Sequence, residues 1–139
     1  MHVEVFVNGV MAKAMVDSGA GLNVMNKTLF DEIKARYPEV QLKPEVKTVR
    51  SVTDKETKSI GSVTVPVLMG SKQTITKFFV IDVPETLILG LPYLKKTAAV
   101  VNFGEDTIMI GAMTLPPDFD AQGTSPSEKP KKRREGISK

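Results

Sequence analysis

The sequence predicts an all-β fold. Apolar and polar residues alternate over short runs, at Val3, Val5 and Val7 and again through Ser62-Val63-Thr64-Val65-Pro66-Val67-Leu68. These runs are divided at close intervals by turn-forming Gly, Asn, Pro and charged residues. Helical spacing is confined to Lys27–Arg36 and a few residues after Leu91. Eight or nine short strands with one or two short helices are therefore expected.

In chain order, the strand through Val3, Val5 and Val7 meets Asn8-Gly9, the strongest short hairpin signal. Val10 to Val16 is the returning strand. Leu22 to Met25 reads as another short strand. Asn26 then caps a helix over Lys27 to Arg36, with Leu29, Phe30, Ile33 and Tyr37 at helical spacing and Pro38 ending it. Val46 to Val52 and Thr57 to Ile60 flank the polar turn Thr53-Asp54-Lys55-Glu56, a half-apolar, solvent-exposed hairpin. Gly61 offers a bend before the strand Ser62–Leu68. Met69 to Lys72 is a turn, and Thr74 to Ile81 a further strand. Thr86 to Gly90 is short and wholly apolar, which predicts burial on both faces. Leu91 to Lys96 is a short helix with Pro92 in its first turn. Ala98 to Phe103 and Thr107 to Met113, joined by Gly104-Glu105-Asp106, make a last hairpin.

The 139 residues suggest one domain with a single core. After Leu115 the composition turns to Pro, Ser, Gly, Asp and Lys, so residues 116–139 are expected to be a disordered basic tail behind a domain of residues 1–115. Of 19 basic residues six follow Glu128, so the net charge of +3 belongs largely to that tail. Its run Lys129-Pro130-Lys131-Lys132-Arg133-Arg134 fits a solvated tail, a nuclear-import signal or a weak nucleic-acid tether. No stretch of about 18 apolar residues exists for a membrane-spanning helix. The start, Met1-His2-Val3-Glu4, has no signal-peptide pattern. An intracellular, cytoplasmic setting with nuclear targeting through Lys129–Arg134 is expected. With no cysteine and one histidine, thiol catalysis, disulfides and cysteine-rich zinc sites are excluded, and a His-based metal site or triad would rest on His2 alone. Hydrolytic chemistry would have to run on carboxylates, lysines or hydroxyls.

The stretch Ala14-Met15-Val16-Asp17-Ser18-Gly19-Ala20-Gly21-Leu22-Asn23-Val24-Met25 stands out. Asp is poor in strands, and an unpaired buried carboxylate is costly, so packing does not explain Asp17 here. Asp17-Ser18-Gly19 reads as a tight loop in which Ser18 can bond back to the backbone and Gly19 can take positive φ. Taken alone, the tripeptide suits an ordinary solvated turn. Its apolar flanks favour a carboxylate held stiffly for catalysis. Gly19-Ala20-Gly21 lacks the third glycine of a nucleotide loop. Asn26-Lys27-Thr28 matches a glycosylation pattern without a secretion signal.

Three pieces in this order resemble the retropepsin-like aspartic proteases, notably those of Ty3/gypsy-type retrotransposons and of cellular genes derived from them. They are the loop Val16-Asp17-Ser18-Gly19-Ala20, the polar hairpin Val49 to Gly61 in the position of the flap, and Leu87-Ile88-Leu89-Gly90-Leu91-Pro92-Tyr93-Leu94. Val100-Val101-Asn102-Phe103 adds to the likeness, which spans about residues 3 to 113. The resemblance implies a small closed β-barrel-like acid-protease fold, half of a homodimeric enzyme, needing no cofactor or metal. Asp17 would be catalytic, one from each chain, with Ser18, Gly19 and Ala20 supporting the loop. Val49, Arg50, Ser51, Val52, Thr53, Asp54 and Lys55 would form the flap over an extended peptide. Ile88, Leu89 and Gly90 would be core support under the loop. Met1 to Val7 and Thr107 to Met113 would be the dimer's terminal strands. Ser18 stands where viral enzymes usually carry Thr, and Val52 to Glu56 lacks the glycines of a viral flap tip.

The implied activity is endopeptidase cleavage of extended, mainly apolar polypeptides, including the chain's own precursor, with an acidic optimum. The competing expectation is a domesticated, catalytically weak or inactive copy serving as a dimerisation or peptide-binding module. Nucleic acid is expected as a partner only through the basic tail, and a membrane not at all.

Overall fold

The structure is a computed structural model that describes residues 1–50 and 55–111. The chain divides into two compact units, Met1–Thr97 and Ala98–Lys139. The hairpin tip Ser51–Asp54, the boundary expected at residue 115 and the basic tail with Lys129–Arg134 lie outside the described residues.

In the first unit, β1 (His2–Val7) and β2 (Val10–Val16) form the expected hairpin. Asn8 and Gly9 both take positive φ, 49° and 86°, the left-handed pair that a two-residue turn needs to match strand twist. β3 (Val24–Asn26) runs into α1 (Lys27–Arg36). The Asn26 side chain accepts the Leu29 N–H at 2.8 Å, so this asparagine serves the helix as its cap. Leu29, Phe30 and Ile33 are the buried face of α1. Tyr37 lies just beyond it as the C-cap.

A short hairpin follows, β4 (Thr48–Arg50) against β5 (Glu56–Lys58). The long antiparallel pair β6 (Gly61–Met69) and β7 (Lys72–Ile81) comes next. β8 (Leu87–Leu89) and α2 (Leu91–Lys96) complete the unit. Six strands close a barrel in the order β1-β2-β8-β3-β7-β6, with β6 meeting β1 at Phe6 and Val7. Val5, Val7, Ala14, Met25, Val67, Phe78, Val80, Leu87 and Leu89 are sealed inside. Closure leaves few free edges, and the inward residues alternate as a pleated strand dictates.

Burial pushes the Tyr93 hydroxyl up to about 12. The second unit shows β9 (Val100–Asn102) paired with β10 (Thr107–Met109), a shorter hairpin than expected. Ala98 sits at positive φ just after the α2 cap, which delays the strand. Met113 lies outside the described residues.

The segment 39–47 is anchored by both backbone and side-chain bonds, and the strand expected from Val46 begins only at Thr48. Lys43 exchanges backbone hydrogen bonds with Ser62. The Ser59 hydroxyl accepts the Lys47 N–H and donates to the Glu45 carbonyl, both at 2.8 Å. The Glu45 carboxylate takes the Lys77 ammonium at 2.9 Å and the Ser62 hydroxyl at 2.8 Å. Those two donors hold its carboxyl below the usual range. A lowered folded-state value means the anchor is intact above the ordinary carboxylate range and is lost only as pH falls through the lowered value. The base of the β4–β5 hairpin therefore stays tied down in mild acid.

Candidate active site

The loop after β2 is built from its backbone outward. β8 runs parallel to β2 in the register Ala14–Leu87, Met15–Ile88, Val16–Leu89, and antiparallel to β3 with Val24 opposite Ile88. The strands on either side of the loop thus share β8 as a common neighbour, and residues 17–23 must arch over its end. The Asp17 N–H donates to the Leu89 carbonyl at 3.1 Å, and the Ala20 N–H to the Asp17 carbonyl at 3.1 Å. The Leu91 N–H reaches the Ala20 carbonyl at 2.8 Å, which ties the arch to the first turn of α2.

Two expectations about the loop are corrected. The residue that bonds back is Asp17: one carboxylate oxygen accepts the Gly19 N–H at 2.9 Å. Ser18 is exposed and makes no such bond among the described residues. A carboxylate is the stronger acceptor and displaces the hydroxyl from that role. Gly19 is not among the positive-φ residues. What it supplies is room, since a Cβ there would stand 3.3 Å from the Asp17 oxygen.

Gly90 matters for the same reason, and more sharply. Its φ of −91° is open to any residue. A Cβ, however, would overlap the Leu22 carbonyl oxygen and lie 2.8 Å from that of Ala20. Close packing of the arch on this peptide is what the glycine permits.

Sequence reasoning missed Asn23. It is 5% exposed, and its side-chain oxygen accepts the Gly90 N–H at 3.0 Å and the Tyr93 N–H at 3.2 Å. Its amide donates to the Lys77 carbonyl at 3.2 Å. One side chain therefore joins the arch, the start of α2 and β7. An amide among apolar neighbours was the available signal, because buried polar groups are kept for their hydrogen bonds. The strand expected from Leu22 begins only at Val24, although the Asn23 carbonyl already accepts the Phe79 N–H at 2.9 Å. Asn23→Ala is expected to lower stability by about 2 kcal/mol, because two buried N–H groups lose their acceptor. A urea unfolding midpoint equal to wild type would contradict this.

Asp17 opens on a cleft of about 590 Å³, bordered also by Gly19, Ala20, Gly21 and Leu22. Met15, Ile88 and Val24 stand side by side across three strands and line it together. This corrects the expectation for Thr86–Gly90. Leu87 and Leu89 are fully buried, but Ile88, on the alternate face, is only half-buried and borders the cleft.

Val49 and Arg50 border the same cleft from β4. Val49 packs against the cluster of Val24, Phe79 and Ile81. Arg50 pairs with Glu56 at 2.6 Å across the hairpin. Lys55 is exposed and is not among the cleft residues. Ser51, Val52, Thr53 and Asp54 lie outside the described residues. Val83, Pro84 and Glu85 also border it, with Val83 packed on the same cluster as Val49.

Among the described residues no cluster of His, Asp or Glu could hold a metal ion. No helix among them is long and apolar enough to cross a membrane. The chemistry on offer is the carboxylate of Asp17, held on a braced loop at the border of a largely apolar cleft that Arg50 and Glu85 also line.

Comparison with known proteins extends this picture. The family model of the PEG10/RTL1 protease domain matches residues 13–114. No curated protein matches. Among solved structures, the retroviral protease-like domain of Ddi1 from Leishmania major superposes with a TM-score of 0.59 at 24% identity, covering 79% of this chain and 83% of that one. The EIAV protease, complexed with the inhibitor HBY-793, gives a TM-score of 0.59 at 19% identity over 74% of this chain and 92% of its own. At these identities the likeness is one of fold.

Proposed function

The chain belongs to the retropepsin-like PEG10/RTL1 protease domain family, and from that premise we propose that two copies form an aspartic endopeptidase. The observation that carries the reading is Asp17, set on a braced arch at the border of the cleft, one such group per chain. Peptide hydrolysis by this route needs two carboxylates. A two-fold axis beside the arch would supply the second from another copy. Two carboxylates about 3 Å apart cannot both ionise easily, so the pair shares a proton, as aspartic-protease dyads do. The ionised Asp17 takes a proton from water while the protonated one donates a hydrogen bond to the scissile carbonyl oxygen. Water attacks the carbonyl carbon, and the proton taken up passes to the leaving amine.

Other residues take roles around this step. Ser18 and Gly19 brace one arch against its twin, with Ala20 beside them. The β4–β5 hairpin with its tip, residues 49–55, serves as a flap that pairs with an extended substrate as an added strand. The first strand and Thr107 to Met113 contribute the dimer contact. Extended polypeptides, including the chain's own precursor, are the proposed substrates.

Incubation with a degenerate peptide library at mildly acid pH tests the reading. Cleavage is expected, blocked by a statine-type inhibitor, with specific activity rising as the protein is concentrated and the dimer fills. Specific activity that is flat down to a monomeric concentration would defeat the two-copy mechanism. Peptides that bind without being cut at any concentration would favour the domesticated binding module.

A further inference from the structure

Within the endopeptidase reading, we propose that Glu85 makes the enzyme prefer a basic side chain beside the scissile bond. The border of the cleft holds three ionisable residues, Asp17, Arg50 and Glu85, among apolar ones. Arg50 is paired at 2.6 Å with Glu56, so the cationic side of the cleft is already neutralised. Glu85 is exposed, and its carboxylate makes no ion pair or hydrogen bond among the described residues.

Pro84, with φ held by its ring, and Leu87, wholly buried in β8, anchor the chain on either side of Glu85 and keep its backbone at the border of the cleft. Glu85 also borders a smaller hollow of about 200 Å³ that it shares with Lys13 and His2, neither of which pairs with it. The cleft is thus apolar along its floor at Met15, Ile88 and Val24, and anionic at one rim. A peptide strand that buries apolar side chains on that floor turns alternate ones elsewhere. A lysine or arginine that reaches the rim gains an ion pair there, and an acidic residue meets repulsion. In a two-fold dimer Glu85 occurs on both sides of the bond. The preference therefore falls at two symmetric substrate positions rather than one.

The gain is that of a solvent-accessible pair, about fivefold in kcat/KM for a Lys-containing peptide over its norleucine twin. The test uses the full chain and a degenerate synthetic peptide library, with the cut products sequenced. Wild type is expected to enrich Lys and Arg at paired positions flanking the cut. Glu85→Gln should abolish the enrichment, and Glu85→Lys should turn it towards Asp and Glu. Enrichment that is absent in wild type, or that survives Glu85→Gln, overturns the proposal.

A second arm separates this from failure of the catalytic reading. The same library is passed over immobilised Asp17→Asn chain and over the Asp17→Asn, Glu85→Gln double variant, and the retained peptides are sequenced. Retention biased to Lys and Arg on the first alone supports the proposal even if no peptide is ever cut. Equal retention on both overturns it while leaving cleavage by Asp17 untouched.

Discussion

Asp17→Asn is expected to reduce peptide cleavage by about a thousandfold or more while leaving the fold intact. Losing a positioned acid or base costs up to roughly 10⁴-fold, and in the proposed two-copy site one substitution would remove both members of the pair. The change is nearly isosteric. The side-chain oxygen that accepts the Gly19 N–H at 2.9 Å is retained, so the arch should keep its shape. Circular dichroism and the unfolding midpoint should therefore match wild type. Mixing wild type with an excess of the variant adds a sharper readout. If the site is shared between two copies, mixed dimers lose activity and the wild-type rate falls as the variant is added. An Asp17→Asn chain that cleaves as well as wild type would overturn the mechanism, and a wild-type rate indifferent to the mixture would overturn its sharing between copies.

Gly90→Ala is expected to be the most damaging single methyl in the first unit, costing about 3 kcal/mol or more in stability. The added carbon meets backbone oxygens of Leu22 and Ala20, not the end of a flexible side chain. Relief requires the arch to lift away from α2. Lifting stretches the Leu91 N–H bond to Ala20 and disturbs the Asn23 bonds to Gly90 and Tyr93. Because Ala20 and Leu22 border the cleft, peptide affinity should fall with stability. Gly21→Ala is the control, since a Cβ there meets nothing within 4 Å. Equal unfolding midpoints for the two variants would show that the arch does not depend on its close approach to Gly90.

Much of this architecture could be read from residue order. Asn8-Gly9 announced the first turn, Asn26 the helix start, and strict alternation through residues 62–68 the long hairpin. Such signals are local: turn chemistry, capping and period-two patterning act over a few residues. The role of Asn23 was not legible, because its side chain bonds to residues 67 and 70 positions away. The wholly apolar Leu87-Ile88-Leu89 suggested two buried faces, yet one opens on the cleft. Composition cannot distinguish a core isoleucine from one awaiting a ligand.

Residue order alone implies a mostly β chain with one carboxylate-bearing loop between apolar strands, without cysteine and with a single histidine. Periodicity and composition suffice for that much, since both are properties of neighbouring residues. It takes the folded barrel to reveal that Asn23 holds the loop, that Gly90 is needed for space and not for its φ, and that Ile88 faces Asp17's cleft while Glu85 stands unpaired at its rim. Each of these depends on which distant strands lie side by side, and that is decided by closure of the barrel around β8.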